Sequence, residues 1–476
     1  MMKKQFNDIK PILYTIATVW LISLCLFSCK KDSFITSPAA QFSTSIDTLK
    51  FDTVFTSIGS VTQTFKINNP NSQKLLLKDI TLMGGVNSAF KININGNPVS
   101  AINDVTVAAN DSIYVFVTVQ INPSTVNLPF VVQDSVRISY NGNTRFVQLQ
   151  AFGQNANFLR NRTLTGNVVF TNTLPYVILG SLKVDTTASL TIQKGTKIYL
   201  HANAPFIVDG TLIADGTNAE PIVFSGDRLD PDYRDLPASW PGIYFRGESK
   251  NNLMRFATIK NAYQAIAVEQ PSPNTNPKLR LEQCTIDNAY DAGILAVNSS
   301  IEASNCLISN SGNNITVAFG GDYLFNHCTV VGYSSFVSHR NPVLNVNNYA
   351  LLGNNIVTNN LNASFKNCIF WGEGNGAVEN EIMVDKKGNN SFTALFDHCL
   401  YKATSDPIAA TFNACIKNQD PQFDSLNYNR RIFDFHISNA TLAPGNEKAA
   451  PSSINIDLDN RPRPIGLPDI GCYEKQ

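Results

Sequence analysis

At 476 residues the chain is too long for one ordinary core, so two or three domains are expected. Hydrophobic residues make up 43% and charged residues only 16%, which argues against long surface helices, since those carry many Lys and Glu. Formal net charge is zero and no basic run stands out, so nucleic acid is not expected as a partner.

In chain order, Lys3 and Lys4 precede an apolar stretch from Pro11 to Phe27. A positive start followed by an apolar run reads as a secretory signal. The alternative is an uncleaved anchor, because the stretch nearly reaches membrane-spanning length. The stretch ends LFSC, with Leu26 three residues before Cys29 and Ser28 just before it. This ending resembles the lipobox of bacterial lipoproteins, and the following CKKDS is similar to lipoproteins of Bacteroidetes-type bacteria. The resemblance implies that residues 1–28 are a signal peptide and that Cys29 becomes the lipid-modified N-terminus. The expected location is the outer membrane, exposed at the cell surface, with acyl chains as the membrane contact. Such an anchor needs no basic patch.

Residues 29–40 read as a tether. From Gln41 to Gly153 the chain shows short strands between turns. VTQTFKINN (Val61–Asn69) alternates and breaks at Pro70. DSIYVFVTVQI places Ile113, Val115, Val117 and Val119 on one face. DSVRISYNGNTRFVQLQA reads as a hairpin turned at Asn141-Gly142. Strands at about ten-residue spacing indicate a β-sandwich. The order resembles the immunoglobulin-like modules at the front of many bacterial surface proteins. No chemistry is visible in it, and a spacer or docking role is expected.

Residues 154–165 read as a junction, and then the texture changes. GSLKVDTTASLTIQKGTKIYL, PFIVDGTLIADGTNAEPIVFSG and SWPGIYFRG follow one another between Gly180 and Gly247. Each is a short apolar strand, a Gly or Asn turn and another strand. The series resembles the opening coils of right-handed parallel β-helix proteins, the pectate-lyase-like superfamily. ATIKNAYQAIAV at Ala257 and CTIDNAYDAGILAV at Cys284 are near-duplicates, and repeats of this period mean a solenoid. The expected fold is therefore all-β, an immunoglobulin-like β-sandwich followed from about residue 165 to 476 by a right-handed parallel β-helix of roughly ten coils.

Cys284, Cys306 and Cys328 stand 22 residues apart, and Cys368 continues the series. Aligned with Ala257, each is followed two residues later by Ile259, Ile286, Ile308, Val330 or Phe370. Residues two apart in a strand share a face, so the cysteines point inward. Position four holds Asn261, Asn288, Asn310, Gly332 and Gly372. Asn and Gly enter the left-handed region at low cost, as a sharp turn between two sheets requires. In the resembled family, Asn side chains stack there in a ladder. The pattern lapses at Cys399, where the fourth residue is Ala403. Zinc sites use paired short spacings that this series lacks. Buried free thiols are the first reading. Disulfides between coils remain the alternative, because an exported protein meets an oxidising compartment.

Several stretches could carry chemistry. In GDRLDPDYRDLPASW, Asp230, Asp232 and Asp235 could bind calcium, and Tyr233 and Trp240 could stack on a sugar. Trp240 also belongs to a core-forming coil motif, which favours packing. GEGNGAVENEIMVDKKGNN carries Glu373, Glu379, Glu381 and Lys386 and reads as a flexible acidic loop, although paired carboxylates can run glycoside hydrolysis. PSPNTNP (Pro271–Pro277) reads as chemically empty. Asp397-His398 of FDHC faintly resembles a pectate-lyase strand, but FNHC at Phe325–Cys328 holds the same coil position, so both read as outward decoration of a repeat. No metal or cofactor is expected, with calcium the one ion left open.

The end of the chain runs from Asp420-Pro421 through FDFHISN to PDIGCYE. It resembles the choice-of-anchor Q-type closing segment of bacterial surface β-helix proteins, although the usual SPAID reads APGNEKA. Asp457, Asp459, Arg461 and Asp469 fit the rest, and their expected role is to cap the open end of the solenoid from about residue 420. Two functions follow. The first is a non-catalytic, lipid-anchored surface protein with a binding or structural role toward glycans. The second is a polysaccharide lyase or glycoside hydrolase.

Overall fold

The computed structural model describes residues 33–56, 59–122, 130–333, 335–374, 378–438 and 443–475. Strands dominate, and the single helical piece among the described residues is a 3-10 turn at Gly85–Asn87. The chain divides into two compact units, the first ending at Gln154 and the second running from Asn155.

The first unit is an immunoglobulin-like sandwich. One sheet orders strands Phe34–Ile35, Lys74–Leu82, Phe130–Tyr140, Asn143–Gln154 and Thr48–Phe55, with Ala101–Val107 paired to Lys74–Leu82. The other orders Ser43–Thr44, Gln63–Asn69, Asp111–Val119 and Phe90–Ile94. Alternation decides which side is buried: Ile113, Val115, Val117 and Val119 enter the core and Tyr114 and Phe116 face out. Phe51 and Phe90 meet between the sheets with ring centres 5.9 Å apart. The hairpin turns at Asn141 (φ 43°) and Gly142 (φ 83°), both in the left-handed region that a two-residue hairpin needs. The segment read as a tether is partly built into this unit, because Phe34–Ile35 pairs with Lys74 and Leu75 and Ala40 is buried.

The second unit is a parallel β-helix whose 26 strands form one continuous ladder. It begins with the strand Asn157–Leu164, earlier than the sequence pattern indicates. Each turn contributes to three sheets. The first stacks Lys197–Leu200, Ile222–Gly226, Ala257–Lys260, Thr285–Asp287, Leu307–Ser309, Thr329–Tyr333 and Ile369–Glu373. The second includes Ile243–Phe245, Gln264–Glu269, Leu344–Asn347 and Ile382–Asp385. The third includes Asn252–Arg255, Leu279–Glu282, Leu361–Lys366 and Phe392–Asp397. The long strands Ala292–Ser304 and Asn313–Asn326 turn the corner from second sheet to third through a register shift between Val297 and Ser299, where Asn298 (φ 47°) is left-handed.

The interior is filled by columns of like residues. Cys284, Cys306, Cys328, Cys368 and Cys399 are buried and Cys415 is half-buried, all as free thiols. Cys399 therefore stays in the stack even though the Asn/Gly position behind it lapses. Next to this column Phe325, Phe365, Phe396 and Phe412 stack with ring centres 5.4, 4.9 and 4.8 Å apart. Each ring pair contributes about 0.5–1.5 kcal/mol beyond the area it buries.

Two corners need left-handed residues. Asn261 (φ 64°), Asn288 (φ 58°) and Asn310 (φ 52°) turn the chain from first sheet to second. Asn288 donates to the Asn261 side-chain oxygen at 2.8 Å, but Asn310 donates to Asp287 instead, so the ladder is two rungs and a branch. Gly332 and Gly372 are not left-handed, so backbone freedom does not explain glycine at these two positions. A Cβ at either would lie 2.3 Å from the ring of His339, so glycine is there to make room. The second corner lies just before the inward position, where Gln283, Asn305, His327, Asn367 and His398 all have φ between 49° and 56°.

The C-terminal segment, expected to cap the open end, packs against the side of the solenoid. It lies along the outer face of the first sheet, where Phe423, Phe435, Leu458, Ile470 and Cys472 pack on Leu307, Val331, Tyr333, Ile369, Trp371 and Leu400. Arg463 forms a buried ion pair with Glu474 and donates to Asn305 at 2.8 Å. Asp457 and Asp469 accept backbone N–H groups of Arg461, Glu474, Glu447 and Lys475, which holds the segment in shape. From Leu307 onward the first sheet carries apolar residues on its outer face as well, and this segment shields them, whereas the earlier coils present Lys197, Thr258, Lys260 and Asp287 there.

Candidate functional site

A polar concavity lies on the outer face of the third sheet. Its floor is made by outward positions of successive strands: Ser300 and Glu302, then Asp322 and Leu324, then Asn362 and Ser364. Residues 271–277 form a wall, and Asn298, Asn359 and Asn360 also line the concavity. The cavity measures about 690 Å³. PSPNTNP, read from sequence as chemically empty, lines this concavity. The signal for it is the run of Asn and Ser at alternate positions of neighbouring coils, which stacking gathers onto one face.

The wall is rigid. Asn274 and Asn276 both donate to the Asn251 side-chain oxygen, at 3.0 and 2.9 Å. At its root Lys278 is fully buried, and its ammonium donates to the carbonyls of Arg246, Gly247 and Glu269 at 3.1, 2.7 and 2.8 Å. Burial pushes its pKa down to about 8. Three donors to three carbonyls account for this lysine as a brace, which a free catalytic base could not be. On the floor, the Tyr323 hydroxyl accepts from Ser299 N–H and donates to the Gly320 carbonyl, both at 3.0 Å.

The arginines beside the groove are matched, while Asp322 stands on the floor as an exposed carboxylate. Arg280 pairs with Glu302 at 3.3 Å, Arg255 with Glu282 at 2.7 Å, and Arg246 forms two 2.7 Å hydrogen bonds with Asp209. The groove therefore offers a ligand mostly neutral amides and hydroxyls, with the half-exposed Leu324 as an apolar spot. That lining suits hydrogen bonding to a hydroxyl-rich molecule better than neutralising a polyanion.

The loop 226–240 does not gather its candidates into a site. Arg228 binds Asp230 through two nitrogens at 2.8 and 3.3 Å and lies over the Tyr233 ring at 3.7 Å, covering one face of it. Asp235 pairs with Arg234 at 3.3 Å. Asp232 is exposed. Among the described residues no three of His, Cys, Asp and Glu are grouped to hold a metal ion. Trp240 is buried and donates to the Lys260 carbonyl at 2.9 Å, so it packs. The loop's backbone is held by Asn261 and Asn288, which donate to the Arg234 and Asp235 carbonyls.

Other candidates also move. Glu381 does not lie in a flexible loop: it is fully buried, accepts from Val343 N–H at 3.2 Å and contacts His339 Nε2 at 2.9 Å. His327 does not decorate the outside. It is buried beside Asn367, and burial pushes its pKa down to about 2, so it is neutral. His398 is half-exposed and pairs with Asp397 at 2.9 Å. Cys29, the expected lipidation site, lies outside the described residues.

Comparison with known proteins fits this architecture. Residues 162–267 match the pectate-lyase-like β-helix domain family. That stretch spans the first coils and ends just before the groove. No curated protein matches the chain. Among solved structures, the pectate lyase Pel9A is similar at 11% identity and a TM-score of 0.37, over 68% of this chain and 88% of that one. A family 123 glycoside hydrolase from Clostridium perfringens is similar at 9% identity and a TM-score of 0.17, over 24% of this chain and 26% of its own. The VesB protease of Vibrio cholerae is similar at 15% identity and a TM-score of 0.16. The chain spans 26% and 32% of the length of these last two. At these scores the likenesses say nothing about activity.

Proposed function

We propose that this chain is a lipid-anchored cell-surface β-helix protein that binds glycan in the third-sheet groove without cleaving it. The observation that carries the reading is the lining: a rigid concavity of about 690 Å³ walled by Asn, Ser and Thr, with its neighbouring arginines tied to carboxylates. Side-chain amides both donate and accept, which matches the alternating needs of sugar hydroxyls. The favoured ligand class is a neutral polysaccharide. The anchor reading rests on Leu26, Ser28 and Cys29 in the LFSC ending.

The test is binding and product release over a panel of neutral and uronate polysaccharides. Retention on a neutral glycan with no new reducing ends and no unsaturated product is expected. Product formation would establish the alternative, a lyase or hydrolase, and retention on no glycan would remove the glycan role. For the anchor, Cys29→Ala should release the protein from membranes into the soluble fraction. Unchanged membrane retention and lipid labelling would contradict it.

A further inference from the structure

Between the strands Leu344–Asn347 and Leu361–Lys366 the chain leaves the solenoid as a two-stranded hairpin, Tyr349–Leu352 with Asn355–Thr358. Leu351 and Leu352 are 70% and 71% exposed, Ile356 54% and Val357 39%. Leu351 pairs with Ile356 and Ala350 with Val357, so alternation puts Leu351 and Ile356 on one face and Leu352 and Val357 on the other. From Asn347 to Asn360 the sequence NNYALLGNNIVTNN carries no charge.

This apolar tip is held out on a fixed base. Asn348 is fully buried and donates to the Asn359 and Lys387 carbonyls at 3.1 and 3.0 Å, and it accepts from Lys387 N–H at 2.9 Å. The Tyr349 hydroxyl donates to Asp385 at 2.8 Å, and Thr358 donates to Asn390 at 2.6 Å. Lys386 and Lys387 are exposed beside the base, with Lys387 Nζ 5.7 Å from the Tyr349 ring centre. A rigid hairpin that keeps aliphatic side chains in water on both faces is costly unless it meets an apolar medium.

We propose that this hairpin dips into the surface of a lipid bilayer containing anionic lipid. Three features select that occupant. A protein groove or a sheet edge covers one face of a hairpin, whereas acyl chains surround both. The stretch is free of charge, as insertion requires. Tyr349, Lys386 and Lys387, the last 3.6 Å from Asp385, form a collar at the level where tyrosine and cations meet headgroups. Four aliphatic side chains give a shallow, reversible contact of the interfacial kind. The contact depends neither on glycan binding nor on Cys29.

The experiment is a local probe at the tip. Asn354→Cys is introduced into the full chain together with Cys25→Ala and Cys29→Ala, and labelled with an environment-sensitive fluorophore; the same background without Asn354→Cys measures stray labelling. Vesicles of phosphatidylethanolamine with phosphatidylglycerol should shift the emission to the blue, raise it several-fold and expose it to quenching by nitroxide on the acyl chains. Leu351→Asp with Leu352→Asp should abolish all three effects while leaving thermal unfolding unchanged, since both side chains are exposed. An unshifted label in the presence of vesicles would overturn the proposal. So would an equal shift in the Asp variant, or a shift that needs no vesicles and grows with protein concentration, which would mean a second copy covers the tip.

Discussion

His339 Nε2 lies 2.9 Å from Glu381 Oε1, in a buried slot floored by Gly332 and Gly372. A Cβ at residue 372 would come within 2.3 Å of Nε2 and 2.5 Å of Oε1. Gly372→Ala is therefore expected to cost about 1–3 kcal/mol, the usual range for overpacking. Urea unfolding of the variant measures it. An unchanged midpoint would mean that the slot is not as tight as described.

The phenylalanine column predicts a larger loss. Phe365 sits between Phe325 and Phe396 and is fully buried. Phe365→Ala should destabilise the second unit by about 3–5 kcal/mol, as large-to-small changes in closed cores do. Phe116→Ala, on the exposed face of the sandwich, should change stability little. Similar effects for the two would contradict the inward assignment.

The cysteine column predicts silence. Burial raises the pKa of Cys284, Cys306, Cys328 and Cys368 well above the usual thiol value. In the native protein these four should resist thiol reagents, and Cys415, the one half-buried member of the column, is the first that a reagent can reach, although its hydrogen bond with Cys399 also raises its pKa. In denaturant without reductant all of Cys284, Cys306, Cys328, Cys368, Cys399, Cys415 and Cys472 should titrate. A shortfall in pairs would mean disulfides between coils.

The rim of the C-terminal segment predicts a pH dependence. His436 contacts Asp434 and Asp459 at 2.5 and 2.8 Å and stacks on Tyr473, with Arg461 also paired to Asp459. Burial works to lower the His436 pKa, but the two carboxylates outweigh it and raise it above 6.5. The stabilisation is thus complete below 6.5 and is lost as pH climbs through the raised value. Burial works to raise the Asp434 pKa, and His436 lowers it below 3.8, so that share is lost in stronger acid. Hydrogen-exchange protection in residues 432–437 and 456–475, corrected for the intrinsic base-catalysed rate, should be greatest between these limits and fall in mild alkali. His436→Gln should remove the alkaline step. A flat profile in the native chain would contradict the assignment.

The repeat and the inward face are legible in the sequence. Alternation exposes both, and the Cys-x-Ile spacing by itself counts the coils. The groove is not legible, because its residues are ordinary outward positions of separate coils, brought together only by stacking. Nor is the place of the C-terminal segment. The terminal motif points to a cap, and Leu307, Val331 and Leu400 look like interior residues until the later coils of the sheet are seen to be apolar on both faces. Glu381 misleads because an acidic stretch looks solvated, and its partner His339 lies 42 residues earlier, on the neighbouring coil.

The most direct test of the central claim is calorimetric titration of a retained neutral glycan into the native chain and into Leu324→Ala with Asn362→Ala. Both side chains are exposed on the groove floor, so neither change should alter folding. Loss of one hydrogen bond and one apolar contact should weaken binding at least about tenfold, a cost of about 1.4 kcal/mol or more, with no product formed by either protein. Equal affinity in the two proteins, or product from the native chain, would contradict the account.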